Sequence, residues 1–349
     1  MNAPAGVDLA SLSAHLDAVG VARHGDLSAE LLAGGRSNLT FLVSDGVNRW
    51  VLRRPPLHGV TPSAHDMARE YRVIAALRDS AVPVARAVTA CNDVAVIGVP
   101  FQMVEFVPGR VVRSRSDLDA LGSATVVSDC VDGLITVLAA LHRVDPAAVG
   151  LADFARPTGY LERQVARWAA QWRHVRRDDD DRDRDADRLH AVLAAGVPRQ
   201  STTSIVHGDY RIDNTILDCD DPARVRAIVD WEMSTLGDPL ADAALICVYR
   251  DPVFDAILGT AAAWTAPAMP SADELSHRYA VASERQLDHW AFYMALACYK
   301  LAVIAAGIEH RSAAANHGIT GGTGRADRPG DAVAPLFARG ISMLTHTSG

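Results

Sequence analysis

The sequence predicts an α+β protein in two lobes: a small, five-stranded antiparallel sheet lobe, then a larger, mainly helical one. Three observations carry this expectation. The 349 residues exceed what one ordinary core organises, since domains run to roughly 100–200 residues. The amino-terminal third reads as short apolar strands joined by tight turns. After Pro108-Gly109 the apolar spacing becomes mostly helical. The expected domains are therefore 1–107 and 108–349, with that dipeptide as the hinge.

Residues 7–19 carry Val7, Leu9, Leu12, Leu16 and Val19 at helical spacing, so a short amphipathic helix opens the chain. Glu30–Ala33, Thr40–Val43 and Arg49–Arg53 then read as strands. Gly34-Gly35-Arg36-Ser37-Asn38 and Asp45-Gly46-Val47-Asn48 separate them, and such short connections imply antiparallel hairpins. Pro55-Pro56 stops the third strand, because proline cannot donate to a ladder. Helical spacing returns over 64–79 through Met67, Tyr71, Ile74 and Leu77, and two strands follow near Arg86–Ala90 and Phe101–Phe106.

Beyond the hinge, helices are expected at Val127–Arg143, Tyr160–Val175, Leu240–Tyr249 and Leu287–Ile308. Short strands are expected at Ser204–Val206, Thr215–Leu217 and Arg226–Val229. The acidic run Asp178–Asp187 reads as a solvated loop or helix end, as dense charge usually does. The stretch holding Gly318, Gly321, Gly322 and Gly324 reads as a loop before a last short helix, Ala332–Leu344. It either covers an acceptor cleft or simply connects.

Composition narrows the function. With 49% hydrophobic and 22% charged residues the chain is of soluble, globular type. A net charge of −8 speaks against a nucleic-acid partner, which needs a basic face. The five cysteines are scattered with no C-x-x-C pair, so neither a zinc site nor a disulfide framework is expected. A reducing cytoplasm is the expected compartment, since the amino terminus also lacks the basic start and apolar run of a secretory signal. Ala291–Ile308 is almost wholly apolar, but Lys300 at its centre makes it a core helix and not a membrane span.

The strongest chemical signal is Ile205-Val206-His207-Gly208-Asp209-Tyr210-Arg211-Ile212-Asp213-Asn214, followed by Ala227-Ile228-Val229-Asp230-Trp231-Glu232. Each half is an apolar strand delivering acidic or amide groups at a turn. Phosphoryl transfer needs a carboxylate to orient the acceptor hydroxyl, and oxygen ligands to hold Mg²⁺ on the nucleotide phosphates. Asp209 suits the first task, Asn214 and Asp230 the second. Each acidic residue alone would be an ordinary turn residue. The pair of motifs at this spacing is what points to chemistry.

His-Gly-Asp-x-x-x-x-Asn followed by Asp-Trp-Glu resembles the aminoglycoside phosphotransferase and choline kinase branch of the protein-kinase-like fold. The resemblance spans Gly34-Gly35 to the helix ending near Ile308. It implies an ATP- and Mg²⁺-dependent enzyme with Asp209 as catalytic base and Asn214 and Asp230 as metal ligands. Arg211 stands where many protein kinases keep a basic residue near the transferred phosphate. The sequence leaves that role and a plain loop salt bridge equally open. His207 is expected to brace the loop, Asp242 to hold its backbone, and Asp238 to cap the helix that follows.

The resemblance also orders the amino-terminal parts. Gly35, Arg36, Ser37 and Asn38 would bring backbone N–H groups to phosphate oxygens, although Gly-Gly between strands is also a plain hairpin turn. The third strand should offer a lysine to the phosphates, and here Val51-Leu52-Arg53-Arg54 offers arginines. Arg53 takes the role, with Arg54 on the opposite face as the fallback, since strand side chains alternate. Arginine can fork onto phosphate. Glu70 is its implied partner, and Gln102 to Val107, Glu105 among them, resembles the strand and hinge that receive adenine through the backbone.

The implied partner is a small-molecule hydroxyl acceptor. Gly35-Arg36-Ser37-Asn38-Leu39-Thr40 with Val51-Leu52-Arg53-Arg54-Pro55-Pro56 resembles a subgroup associated with acyl-CoA dehydrogenases. That widens the acceptor from aminoglycosides and choline-like alcohols to hydroxyacyl thioesters. The chain's length leaves no room for a dehydrogenase domain, so flavin chemistry is not expected. Two rivals remain: a nucleotide-binding pseudoenzyme that regulates a partner, and a protein kinase. Asp230-Trp231-Glu232 in place of D-F-G, with no A-P-E-like end to an activation segment, counts against the latter.

Overall fold

The computed structural model describes residues 6–32, 38–56, 66–176, 180–315 and 328–345. Internal contacts divide the chain into two units, Met1–Gly109 with Arg226–Ser234, and Arg110–Val225 with Thr235–Gly349.

The first unit runs α1 (Leu9–Ala18), β1 (Ser28–Leu32), β2 (Leu39–Ser44), β3 (Arg49–Arg54), α2 (Met67–Leu77), β4 (Ala87–Cys91), α3 (Val94–Ile97) and β5 (Phe101–Glu105). The strands form one five-stranded sheet in the order β1-β2-β3-β5-β4, antiparallel at every pairing. The β2–β3 turn is fixed by Asp45, whose Oδ1 accepts from Val47 N at 2.9 Å and Asn48 N at 2.6 Å. Gly46 supplies the left-handed φ of 90° that this turn needs.

Alternation along β3 then sorts its side chains. Trp50 and Leu52 join Leu12 and Leu16 of α1, Phe41 and Met103 in a buried cluster. Each such side chain contributes about 1.5–3 kcal/mol when fully buried. Arg53 points to the other face, opposite Thr40 on β2 and Gln102 on β5. There Glu70 lies on the buried stripe of α2 with Met67, Val73, Ile74 and Leu77, and Asp66 caps the helix by accepting from Arg69 N.

A single cut between 107 and 108 would assign Asp230 to the second unit, whereas Arg226–Ser234 groups with the first. Backbone bonding explains it: Ile228 N donates to Pro83 O at 2.9 Å, and Val84 bridges Ile228 in parallel. Arg69 Nη2 adds a bond to Ser234 O.

The second unit holds α4 (Arg115–Asp119), α5 (Ala124–Arg143), α6 (Tyr160–Val175), α7 (Asp180–Ala195), β6 (Ser204–Val206) and β7 (Thr215–Leu217). After β8 (Val225–Ile228), which straddles the division, come β9 (Thr235–Gly237), α8 (Pro239–Val248), α9 (Val253–Leu258), α10 (Ala272–Ser283), α11 (Trp290–Ala315) and α12 (Val333–Thr345). β6 pairs with β9. Helix α11 packs against α6, α8 and α12, and with 78% of its apolar window buried it is a core helix despite its membrane-like length. Gly133 lets α5 approach the loop before β8, because a Cβ there would sit 1.9 Å from Ala223 O.

Of the two readings of the acidic run, loop or helix end, the helix end holds from Asp180: Ala186, Leu189 and Leu193 give α7 a buried stripe and Asp183 accepts from Trp172 Nε1. Helix α10, absent from the sequence reading, starts at a reciprocal capping box of Ser271 and Glu274. The expected glycine loop around 318–324 lies outside the described residues.

Candidate active site

Strand β6 ends at Val206 and hands the chain to a loop held from below. Asp242 on α8 accepts from His207 N at 2.6 Å and from Gly208 N at 2.9 Å, as expected of a loop brace. Gly208 sits at a φ of 83°, which favours glycine. Lys300 of α11 donates from Nζ to Gly208 O at 2.5 Å, and the Tyr210 hydroxyl donates to Leu134 O at 2.7 Å. His207 is fully buried and its Nδ1 accepts from Asp209 N, so the histidine supports the turn. Asp238 caps α8 by accepting from Leu240 N, with Pro239 in the first turn.

The Asp209 carboxylate emerges from this frame with donors on both oxygens. Oδ1 accepts from the Tyr249 hydroxyl at 2.5 Å and from Arg211 Nε at 3.3 Å. Oδ2 accepts from Asn214 Nδ2 at 3.0 Å and from Arg211 Nη2 at 3.5 Å. Asn214 Nδ2 also donates to Asp209 O, and among the described residues its amide oxygen has no hydrogen-bond partner. Arg211 makes its shortest contact with Asp213 Oδ2, at 2.5 Å.

Burial alone would raise the Asp209 pKa. The Arg211 charge, the Tyr249 hydrogen bond, and the charges of His207 and Lys300 outweigh it and hold the carboxyl below its ordinary value. Asp213, half-buried with fewer donors, is raised instead, chiefly by desolvation. The residue with the depressed pKa is the one expected to accept a proton during the reaction.

A second polar cluster lies in the first unit. Arg53 Nη1 is 3.4 Å from Glu70 Oε2 and Nη2 is 2.9 Å from Asp230 Oδ1. Gln102 Nε2 donates to Glu70 Oε2 at 2.8 Å, and Asn38 Nδ2 reaches Glu70 Oε1 at 3.4 Å and Glu232 Oε2 at 3.2 Å. Burial pushes the Glu70 carboxyl up to about 7, against the pull of Arg53. Arg53 is held protonated, because the charges of Glu70 and Asp230 outweigh its own burial. Asp230 sits in the left-handed region at φ 66°, a conformation Asp tolerates better than most residues.

The structure thus brings Asp209, Arg211 and Asn214 together, and separately Arg53, Glu70, Asn38 and Asp230. It separates the two arginines of β3: Arg54 is buried on the other face and donates to the carbonyls of Pro55 and Gly6. Glu105 turns its side chain to Arg86 at 3.1 Å. Gly35, Arg36 and Ser37 lie outside the described residues. The Tyr249 contact and the side-chain part of Gln102, expected to act through its backbone, were not read from the sequence. Gln102 left a signal, a lone amide within the apolar run Phe101-Gln102-Met103-Val104, whereas Tyr249 left none in its local pattern.

Among known proteins, the model of the phosphotransferase enzyme family matches residues 28–275. Mouse acyl-CoA dehydrogenase family member 10 is 34% identical over 284 residues, covering 80% of this chain and 26% of that protein. Human acyl-CoA dehydrogenase family member 11 is 31% identical over 307 residues, covering 86% of this chain and 38% of that protein. The chain therefore spans well under half the length of these relatives.

A crystal structure from Ralstonia eutropha, provisionally named an aminoglycoside phosphotransferase, superposes with a TM-score of 0.80 at 32% identity. It covers 97% of this chain and 98% of its own. The aminoglycoside phosphotransferase APH(4)-Ia, solved with AMP-PNP and hygromycin B, shares the fold at a TM-score of 0.61 and 15% identity, over 97% of this chain and 99% of its own.

The family match and the fold thus define a kinase-like phosphotransferase. The chain belongs to the phosphotransferase enzyme family.

Proposed function

We propose that this protein transfers the γ-phosphoryl group of ATP, with Mg²⁺, to a hydroxyl of a small molecule, either hydroxyacyl-CoA-like or aminoglycoside-like. One observation carries the reading: a half-buried Asp209 kept ionised by converging donors, with Asn214 bonded to it. The AMP-PNP bound by APH(4)-Ia supports a nucleoside triphosphate as donor. The acyl-CoA dehydrogenase names of the relatives favour the hydroxyacyl thioester among the acceptors.

Asn214 and Asp230 each offer a hard oxygen donor of the kind Mg²⁺ takes together with phosphates, and in this reading they would hold the ion. When bound, Mg²⁺ neutralises charge on the phosphate oxygens. In this reading Asp209 accepts the acceptor's hydroxyl proton as its oxygen bonds the γ-phosphorus and the bond to the bridging oxygen breaks. Arg53 forks onto the nucleotide phosphates, as a guanidinium does more readily than an ammonium. Glu70 holds it there.

The test is ADP release from Mg-ATP with hydroxyacyl-CoAs, aminoglycosides and choline-like amines as acceptors. Asp209→Asn is expected to slow turnover about 100- to 10,000-fold. Its thermal stabilisation by a Mg-ATP analogue should persist. Wild-type turnover in the variant, or binding of Mg-ATP by wild type with no phosphorylated product from any acceptor, defeats the reading.

A further inference from the structure

Tyr249 follows the last turn of α8 and touches the reactive carboxylate, yet the reaction scheme above gives it no part. A carboxylate offers about four lone-pair sites. In this structure four contacts address them: Tyr249 Oη and Arg211 Nε at Oδ1, Asn214 Nδ2 and Arg211 Nη2 at Oδ2. An incoming hydroxyl must therefore displace one donor.

The geometry ranks them. Arg211 holds Asp209 at 3.3 and 3.5 Å and keeps a 2.5 Å contact with Asp213 if it lets go. Asn214 is doubly tied to Asp209, through backbone and carboxylate. Tyr249 is 2% exposed, and among the described residues its hydroxyl has Asp209 as its hydrogen-bond partner, so releasing it would strand a buried O–H. Its ring is held as well, 4.5 Å from Phe254 between centroids, with the Arg211 guanidinium over both rings. Burial and the Asp209 charge also push the Tyr249 pKa well above its ordinary value, so the phenol is a donor and not an acceptor.

We propose that Tyr249 is a positioning residue for phosphoryl transfer: its hydroxyl stays on Asp209 Oδ1 while Arg211 yields the neighbouring lone pair to the acceptor. The acceptor's proton moves to the site that Arg211 Nε leaves, the acceptor oxygen bonds the γ-phosphorus, and ADP departs with the electrons of the broken bridging bond. The phenolic proton never transfers. This rests on Asp209 being the base.

The experiment needs no identified acceptor, because water serves with Mg-ATP as the probe. Steady-state ADP release is measured for wild type, Tyr249→Phe, Asp209→Asn and the double variant. Tyr249→Phe should lower kcat about 10- to 100-fold, the loss of one hydrogen bond to a charged group. KM for ATP should hold, and the change should have no further effect on the Asp209→Asn background. A wild-type kcat in Tyr249→Phe beside a slow Asp209→Asn overturns the positioning role alone. An equal loss on both backgrounds also overturns it, by showing a merely structural part. Fast turnover by Asp209→Asn instead overturns the base assignment underneath. If Tyr249→Phe melts early, Phe254→Leu keeps the hydroxyl but frees the ring. It should lower kcat on the wild-type background only, and an unchanged kcat counts against the proposal.

Discussion

Each unit carries one arginine between two carboxylates, and the two groups behave differently. In the second unit Arg211 lies between Asp209 and Asp213; in the first, Arg53 lies between Glu70 and Asp230. All three of Asp209, Asp213 and Glu70 are desolvated, yet only Asp209 falls below its ordinary pKa, while Asp213 rises and Glu70 rises to about 7. An adjacent guanidinium is common to all of them and so cannot explain the difference. What separates Asp209 is the Tyr249 hydrogen bond and the positive groups nearby, Lys300 among them. Glu70 has Gln102 and a long contact from Asn38, and the like charge of Asp230 works against it. Donor number and quality decide which buried acid stays ionised.

The largest effect that could break this contrast is on stability. Arg53→Met strips the cation from two carboxylates and should cost about 3–5 kcal/mol, as removal of one partner of a buried pair does. Arg211→Met should cost less, about 1–3 kcal/mol, because Asp209 keeps Tyr249 and Asn214. Urea unfolding of both variants checks the order, and a reversed order would mean the extra donors on Asp209 carry little weight. Smaller again is Gln102→Met, at about 1–2 kcal/mol. It removes the 2.8 Å donor to Glu70 but also an Oε1 that has no hydrogen-bond partner among the described residues.

The same contrast explains what the sequence discloses. His207, Asp209, Arg211 and Asn214 lie within one loop, so their spacing alone points to the proposed base and its amide. The Arg53 cluster draws on five separate stretches of chain, and an arginine replaces the expected lysine. Resemblance supplies Glu70 and Asp230, whereas the lone amide of Gln102 gains its part from the register that sets it opposite Arg53. Tyr249 lies beyond any local pattern, placed on Asp209 by the packing of α8 some 40 positions along the chain. The strands other than β9, and the longer helices other than α7 and α10, follow from periodicity. The placement of Arg226–Ser234 with the first unit does not, since it depends on backbone pairing with Pro83 and Val84.

The finest test is the pH dependence of stability. Glu70 has its pKa raised from 4.5 to about 7 in the fold, so the folded state binds its proton more tightly than the unfolded chain. Its contribution is complete below 4.5, declines as pH rises, and is gone above about 7. Glu70→Gln keeps a neutral group at every pH and lacks this slope. Urea unfolding across that interval should show the glutamine variant gaining on wild type as pH rises, then holding level. Asp209 has a lowered pKa, so its contribution is present above 3.8 and is lost as pH falls through the folded value. Asp209→Asn should therefore lose ground to wild type as pH rises through the acid range, the opposite sign. Parallel slopes would mean that Arg53 ionises Glu70 as fully as Arg211, Tyr249 and Lys300 together ionise Asp209, and the distinction between the two clusters would collapse.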